Sequence, residues 1–199
     1  MFFYESDVDI INGVFDNNIS EDGLIVFRSN FSIINSFFVN SVSDAFDADF
    51  SVGDIIKTSF ENSGNDAIDL SGSIVQLLDI NIDGVSDKAI SLGEKSETSG
   101  SKILIKNSNL GISSKDSSTF SYDNVSISNS EVAFSLYKKK EDFGASMGVI
   151  SEGKLLGNGT NFIIEKGSAL KFNERVINGE YENVKDLMYG NVYGTATSK

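Results

Sequence analysis

A chain of 199 residues with a net charge of −13 repels other polyanions, which disfavours nucleic acids and anionic membrane surfaces as partners. With no cysteine and no histidine it can build neither disulfides nor thiolate or imidazole metal centres, so only hard ions held by oxygen remain open to it. Proline is absent too, so Gly, Asn, Asp and Ser must make every turn, and no apolar run is long enough to span a bilayer.

The chain opens on Met1 to Ile10, apolar and then acidic with no basic flank, which does not read as a signal peptide. Val8 to Phe15 already carries the pattern that dominates the later coils, so residues 1–26 form a first, partly irregular coil. From there Gly23, Ala45, Ala67, Ala89, Gly111 and Ala133 recur every 22 residues. Each is followed by a large apolar residue: Leu24, Phe46, Ile68, Ile90, Ile112 and Phe134. Two places on stand Val26, Ala48, Leu70, Leu92, Ser114 and Leu136, and between them Ile25, Asp47, Asp69, Ser91, Ser113 and Ser135. That alternation is a strand with one buried face, repeated at a fixed interval. A period in the twenties with one strand signature per repeat predicts a solenoid.

Other columns share the step. Ile11, Ile33, Ile55 and Leu77 form one, Phe38, Phe60 and Ile82 another, and Asn18, Asn40, Asn62 and Gly84 a third, rejoined after a register shift by Asn107 and Asn129. Two or three short strands per repeat leave no room for a helix, and the Leu and Asn framework of leucine-rich repeats is missing. The predicted fold is all-β: a single-stranded right-handed parallel β-helix, a solenoid of about 22 residues per coil, with a short C-terminal cap. Stacked asparagines would bond from coil to coil. Regular coils span 27–150. Gly93 to Ser101 reads as a polar loop that shifts the register, and Tyr137 to Ser146 as a second excursion carrying Lys138, Lys139 and Lys140. Residues 151–199 form the last coil and cap, with Glu182 to Tyr189 as a capping turn or helix and Gly194 to Lys199 as a frayed tail.

Outward positions on stacked strands form columns, so residues 22 apart become neighbours. Asp47 and Asp69 should stack, with Asp49 two residues along and Asp44 and Asp66 at the preceding turn. These carboxylates can bind an ion or a sugar, and Asp47, Asp49 and Asp69 are the candidate ligands of a Ca²⁺ ion, although no cofactor is required. Lys88 and Lys115 on the next coils can face an acidic sugar. The alternative is structural: Asp66 would simply pair with Lys88 from the adjacent coil.

Three stretches carry a resemblance: Asn65-Asp66-Ala67-Ile68-Asp69-Leu70-Ser71-Gly72-Ser73, Asp87 to Ser96, and Ser114-Lys115-Asp116. They resemble right-handed parallel β-helix repeat proteins of the pectate-lyase-like superfamily. The Lys138 to Gly144 segment and Leu187-Met188-Tyr189-Gly190 are similar to β-helices that follow a spore coat protein H-like domain in bacterial chains. The resemblance covers about residues 31–194 and implies a bacterial surface or secreted protein, here a C-terminal β-helix separated from a larger parent. It also implies the alternative of a calcium-dependent polysaccharide lyase or epimerase, since lyases of the superfamily join calcium-binding aspartates to an Arg or Lys base. Sites that rely on histidine are excluded, and Arg28 and Arg175 lie away from the aspartates in the register, which leaves Lys88 or Lys115 as a base. The sequence therefore reads as a non-catalytic module, structural or carbohydrate-binding, with polysaccharide as its partner.

Overall fold

The computed structural model describes residues 1–194, and the expected tail beyond Gly194 lies outside them. The chain winds into a parallel β-solenoid of about eight turns, each with three faces. The first face stacks Phe2–Tyr4, Asp22–Phe27, Asp44–Asp49, Ile68–Ser71, the ends of Ile74–Gly93 and Glu97–Lys115, then Val132–Tyr137 and Thr160–Ile164. The second face begins at Val8–Ile11 and continues through Asn30–Ile34 and Val52–Ile56 to Ala169–Phe172, and the third runs from Val14–Asp16 to Gly153–Leu156. Ile74–Gly93 and Glu97–Lys115 pass around the corners without a break.

The predicted stacking is present. Ile68, Ile90 and Ile112 are direct register partners and fully buried. On the third face Phe15, Phe38 and Phe60 form a ring stack with centroids 4.4 and 4.8 Å apart. The column of small residues is small because its side chains meet the main chain of the next coil. A Cβ on Gly23 would lie 2.6 Å from the Ala45 carbonyl oxygen, and one on Gly111 2.5 Å from that of Ala133.

Corners need a residue in the left-handed region, which asparagine enters more readily than most other residues. Asn17, Asn40, Asn62, Asn107 and Asn129 occupy one corner, with φ of 55°, 57°, 57°, 52° and 55°. Their amides bond along the axis: Asn62 Nδ2 donates to Asn40 Oδ1 at 3.1 Å and Asn129 Nδ2 to Asn107 Oδ1 at 3.4 Å. At a second corner the serines form a buried ladder. The amides of Ser29, Ser51, Ser73 and Ser96 donate to the Oγ atoms of Ser51, Ser73, Ser96 and Ser118 at 3.1, 3.0, 3.2 and 3.2 Å.

Three expectations shift, at Ile11, at Asn18 and at Gly93 to Ser101. Ile10, not Ile11, pairs with Ile33, and Asn17, not Asn18, takes the corner, because the first coil holds one extra residue in the Asn18–Glu21 turn. Ile11 is accordingly exposed. The stretch Gly93 to Ser101 is mostly strand: one residue is added at the Glu94–Lys95 corner, and Glu97–Ser101 then pairs in register. The excursion from Tyr137 is a true insertion, since Leu136 pairs with Ile164, 28 rather than 22 residues on. Parallel pairing then continues beyond residue 150 to Phe172, where Arg175–Asn178 folds back antiparallel. The cap includes a helix, Val184–Tyr189, which buries Val184 and Met188.

Ile90→Asp would place a charge between two coils with nothing to solvate it. It is expected to cost at least about 4 kcal/mol or to prevent folding. Circular dichroism and thermal melting check this, and a wild-type melt would show that Ile90 does not lie inside.

Candidate functional site

The outward side of the first face is divided in two. Its later coils are covered: the helix Val184–Tyr189, through Val184, Leu187 and Met188, packs with Tyr193 onto Leu110, Val132, Tyr137 and Ile163. Ser91, Ser113 and Ser135 continue the Asp47–Asp69 column and, unlike the surface residues they resemble in sequence, are buried. The earlier coils are open, and there the candidate carboxylates lie.

The structure sorts those candidates by what holds them. Asp44 and Asp66 serve the coils themselves. Asp44 Oδ1 accepts from the Asp66 amide at 2.8 Å and from Asn65 Nδ2 at 2.6 Å, and Asp66 Oδ1 accepts from the Lys88 amide at 2.9 Å. Lys88 Nζ reaches Asp66 Oδ1 at 3.3 Å and also pairs with Asp87, in an ion-paired group that is almost wholly buried. The pairing expected between Asp66 and Lys88 is therefore present, but buried rather than at the surface.

Asp47, Asp49 and Asp69 belong to no such arrangement. Asp47 and Asp69 are direct register partners, and Asp49 pairs with Ser71. Among the described residues no group of three or more carboxylates placed to hold a metal ion is found, and the three stand as a column and a neighbour. Asp69 Oδ1 is buried and accepts no hydrogen bond. Lys115 Nζ donates to Ser91 Oγ at 2.8 Å from a side chain that is 6% exposed.

Burial and mutual repulsion raise four of these carboxylates above their ordinary range. Burial, then the charges of Asp49 and Asp69, pushes Asp47 up to about 8. Burial and the charge of Asp66 raise Asp44 to about 7, and burial and Asp69 raise Asp49 to about 6. Asp66 is raised to about 6 by burial, with Lys88 opposing. Burial alone would lower Lys88, but Asp66 and Asp87 outweigh it and raise the ammonium above its ordinary range. Lys115 moves the same way, burial again being outweighed by Asp69 and Tyr189. A general base must be unprotonated near neutral pH, so neither lysine is suited to that role.

Sequence reasoning passes over the aromatic residues around this trough. Tyr189 lies at the border of the open and covered halves, 40% exposed, with its ring 4.7 Å from Lys139 Nζ and 5.6 Å from Lys88 Nζ. At the other side Tyr4 and Phe27 precede Asp49 in one column. No periodicity marks these rings, because each occurs at only one or two levels of the stack.

The raised carboxylates give a pH dependence. A group whose pKa is higher in the folded than in the unfolded chain binds more protons when folded, so stability falls as pH rises between the two values. The unfolded reference is about 3.9. The melting temperature should therefore decline from pH 5 to pH 8. Asp47→Asn should raise it at both ends of the range, and by several degrees more at pH 8 than at pH 5. A melt that is flat or rises over this range would show ordinary, solvated carboxylates. Millimolar calcium is expected to leave the melt unchanged; a rise abolished by Asp69→Asn would restore the metal site.

Compared with protein-family models, with curated proteins and with solved structures, the chain finds no match, so the likeness to β-helix families rests on the coil pattern and the fold alone.

Proposed function

We propose that the protein is a non-catalytic carbohydrate-binding β-helix and that the open half of the first face is its binding surface. One observation carries this reading: a row of exposed rings lies directly beside the carboxylate columns. Tyr4 stacks on Phe27 at 5.7 Å, Phe27 meets Phe50 edge-on at 5.8 Å, and Phe2 is 6.4 Å from Tyr4. Phe2, Tyr4 and Phe50 are all exposed. A sugar ring presents an apolar face of C–H groups and a rim of hydroxyls. Aromatic rings suit the first, and carboxylates accept hydrogen bonds from the second. Carboxylates that titrate near neutrality both accept and donate, which suits hydroxyls further.

The stack supplies these groups at intervals of about 4.8 Å on a rigid surface, a lattice matched to a repeating polymer. Polysaccharide is met outside the cell or at its surface, and a module of this kind works there. Turnover is not part of the reading, because the lysines that would have to act as bases are held protonated.

A glycan array tests the proposal. Binding should fall by about tenfold or more in Tyr4→Ala with Phe50→Ala, while the melting temperature changes little, since both side chains are exposed. Incubation with pectate or alginate plus calcium should give no rise in ultraviolet absorbance from unsaturated product. A rise lost in both Lys88→Ala and Asp69→Asn would replace this reading with a lyase.

A further inference from the structure

Lys115 is poorly satisfied for a buried cation. An ammonium carries three N–H donors, and this one gives a single hydrogen bond, to Ser91 Oγ at 2.8 Å. It forms no ion pair among the described residues. Lys88 offers the contrast within the same face, since two carboxylates hold it. Asp69 precedes Ser91 in the same outward column and has the complementary defect: its buried Oδ1 accepts nothing. Unfilled donors and an unfilled acceptor, both buried and both beside Ser91, are costly to leave unmade.

One kind of group relieves both. It must accept from Lys115 and donate to Asp69. A carboxylate cannot donate and an ammonium cannot accept, whereas a hydroxyl does both, and two adjacent hydroxyls do so at once. We infer that Asp69, Ser91 and Lys115 form a subsite for the hydroxyls of a neutral sugar, roofed by Tyr189. The inference rests on the carbohydrate-binding proposal and narrows it. A uronate's carboxylate could not donate to Asp69, and an amino sugar would bring its charge against Lys115 and Lys88. Tyr189 is partly exposed; its hydroxyl accepts a long hydrogen bond, 3.4 Å, from the Tyr137 hydroxyl, and its ring carries Lys88 and Lys139.

Saturation-transfer NMR and calorimetry with four tetrasaccharides test this: neutral cellotetraose and mannotetraose, acidic tetragalacturonate and basic tetraglucosamine. A neutral probe should bind, and the charged ones should bind about tenfold more weakly or not at all. Asp69→Asn and Lys115→Met should each lower affinity for the neutral probe about tenfold, with Ser91→Ala as the readout if Lys115→Met does not fold. Preference for a charged probe overturns the subsite. So does neutral binding unchanged in Asp69→Asn and Ser91→Ala: if it is lost in Tyr4→Ala with Phe50→Ala, the binding surface stands without the subsite. A shift of melting temperature in these variants with affinity intact would mean a resident water only, and the inference falls. Binding of none of the four at about 10 mM overturns both the subsite and the surface.

Discussion

Every feature of this molecule depends on backbone pairing between coils at a constant level. The Arg28 amide donates to the Asp49 carbonyl, Phe50 to Ser71, Gly72 to Gly93, and so along the axis. Once that pairing is set, a residue has no freedom to drift. Whatever lies inward must stack on its own kind, and whatever lies outward becomes part of a column. An extra residue enters where strands end or, between Val85 and Lys88, as a register shift inside one. The structure uses that allowance at Asn18–Glu21, at Glu94–Lys95 and at the loop after Tyr137, and it restores the columns each time.

The columns then decide where chemistry can sit. Identical outward residues on adjacent levels lie about 4.8 Å apart, so a carboxylate repeated down a column raises its own pKa. Asp47, stacked on Asp69, is raised in this way on top of its burial, and so is Asp44 beside Asp66. The fold answers differently at each. At Asp66 it supplies Lys88 and a backbone amide. At Asp44 it supplies amide donors from the next coil. At Asp47 it supplies nothing, and the proton stays. A carboxyl left unpaired and protonated on an otherwise well-satisfied surface is what sets this part of the face apart.

The coil period, the identity of the inward residues and the column of small residues are all legible in the sequence, because each is a local pattern repeated six times. The serine ladder is only half legible: Ser29, Ser51 and Ser73 recur at the same step, but serine in a turn reads as solvent-facing until its amide is seen to need an acceptor. What no repeat can announce is the C-terminal helix lying across Ser91, Ser113 and Ser135. Those serines occupy outward positions, which in an isolated stack are exposed. Their burial comes from a segment far along the chain, and so does the enclosure of Lys115. Long-range coverage leaves no periodic trace. For the same reason the aspartates can be found from their spacing, while Tyr4, Phe27, Phe50 and Tyr189 cannot.

The constant step also has a kinetic side. Closing a loop costs entropy that grows with the logarithm of its length, so contacts between distant segments are the slow ones to form. Here nearly every strand pairs with a strand one turn away, and one closure of about 22 residues is repeated along the whole axis. No single pairing is rate-limiting by topology, and a coil once formed is the template for the next, as in other repeat proteins. The exception is the cap, whose Tyr193 carbonyl is bonded by Asn109, 84 residues earlier. The covered half of the first face is therefore completed last, by the one piece of the chain that must travel, and until it arrives the two halves of that face are a single open surface.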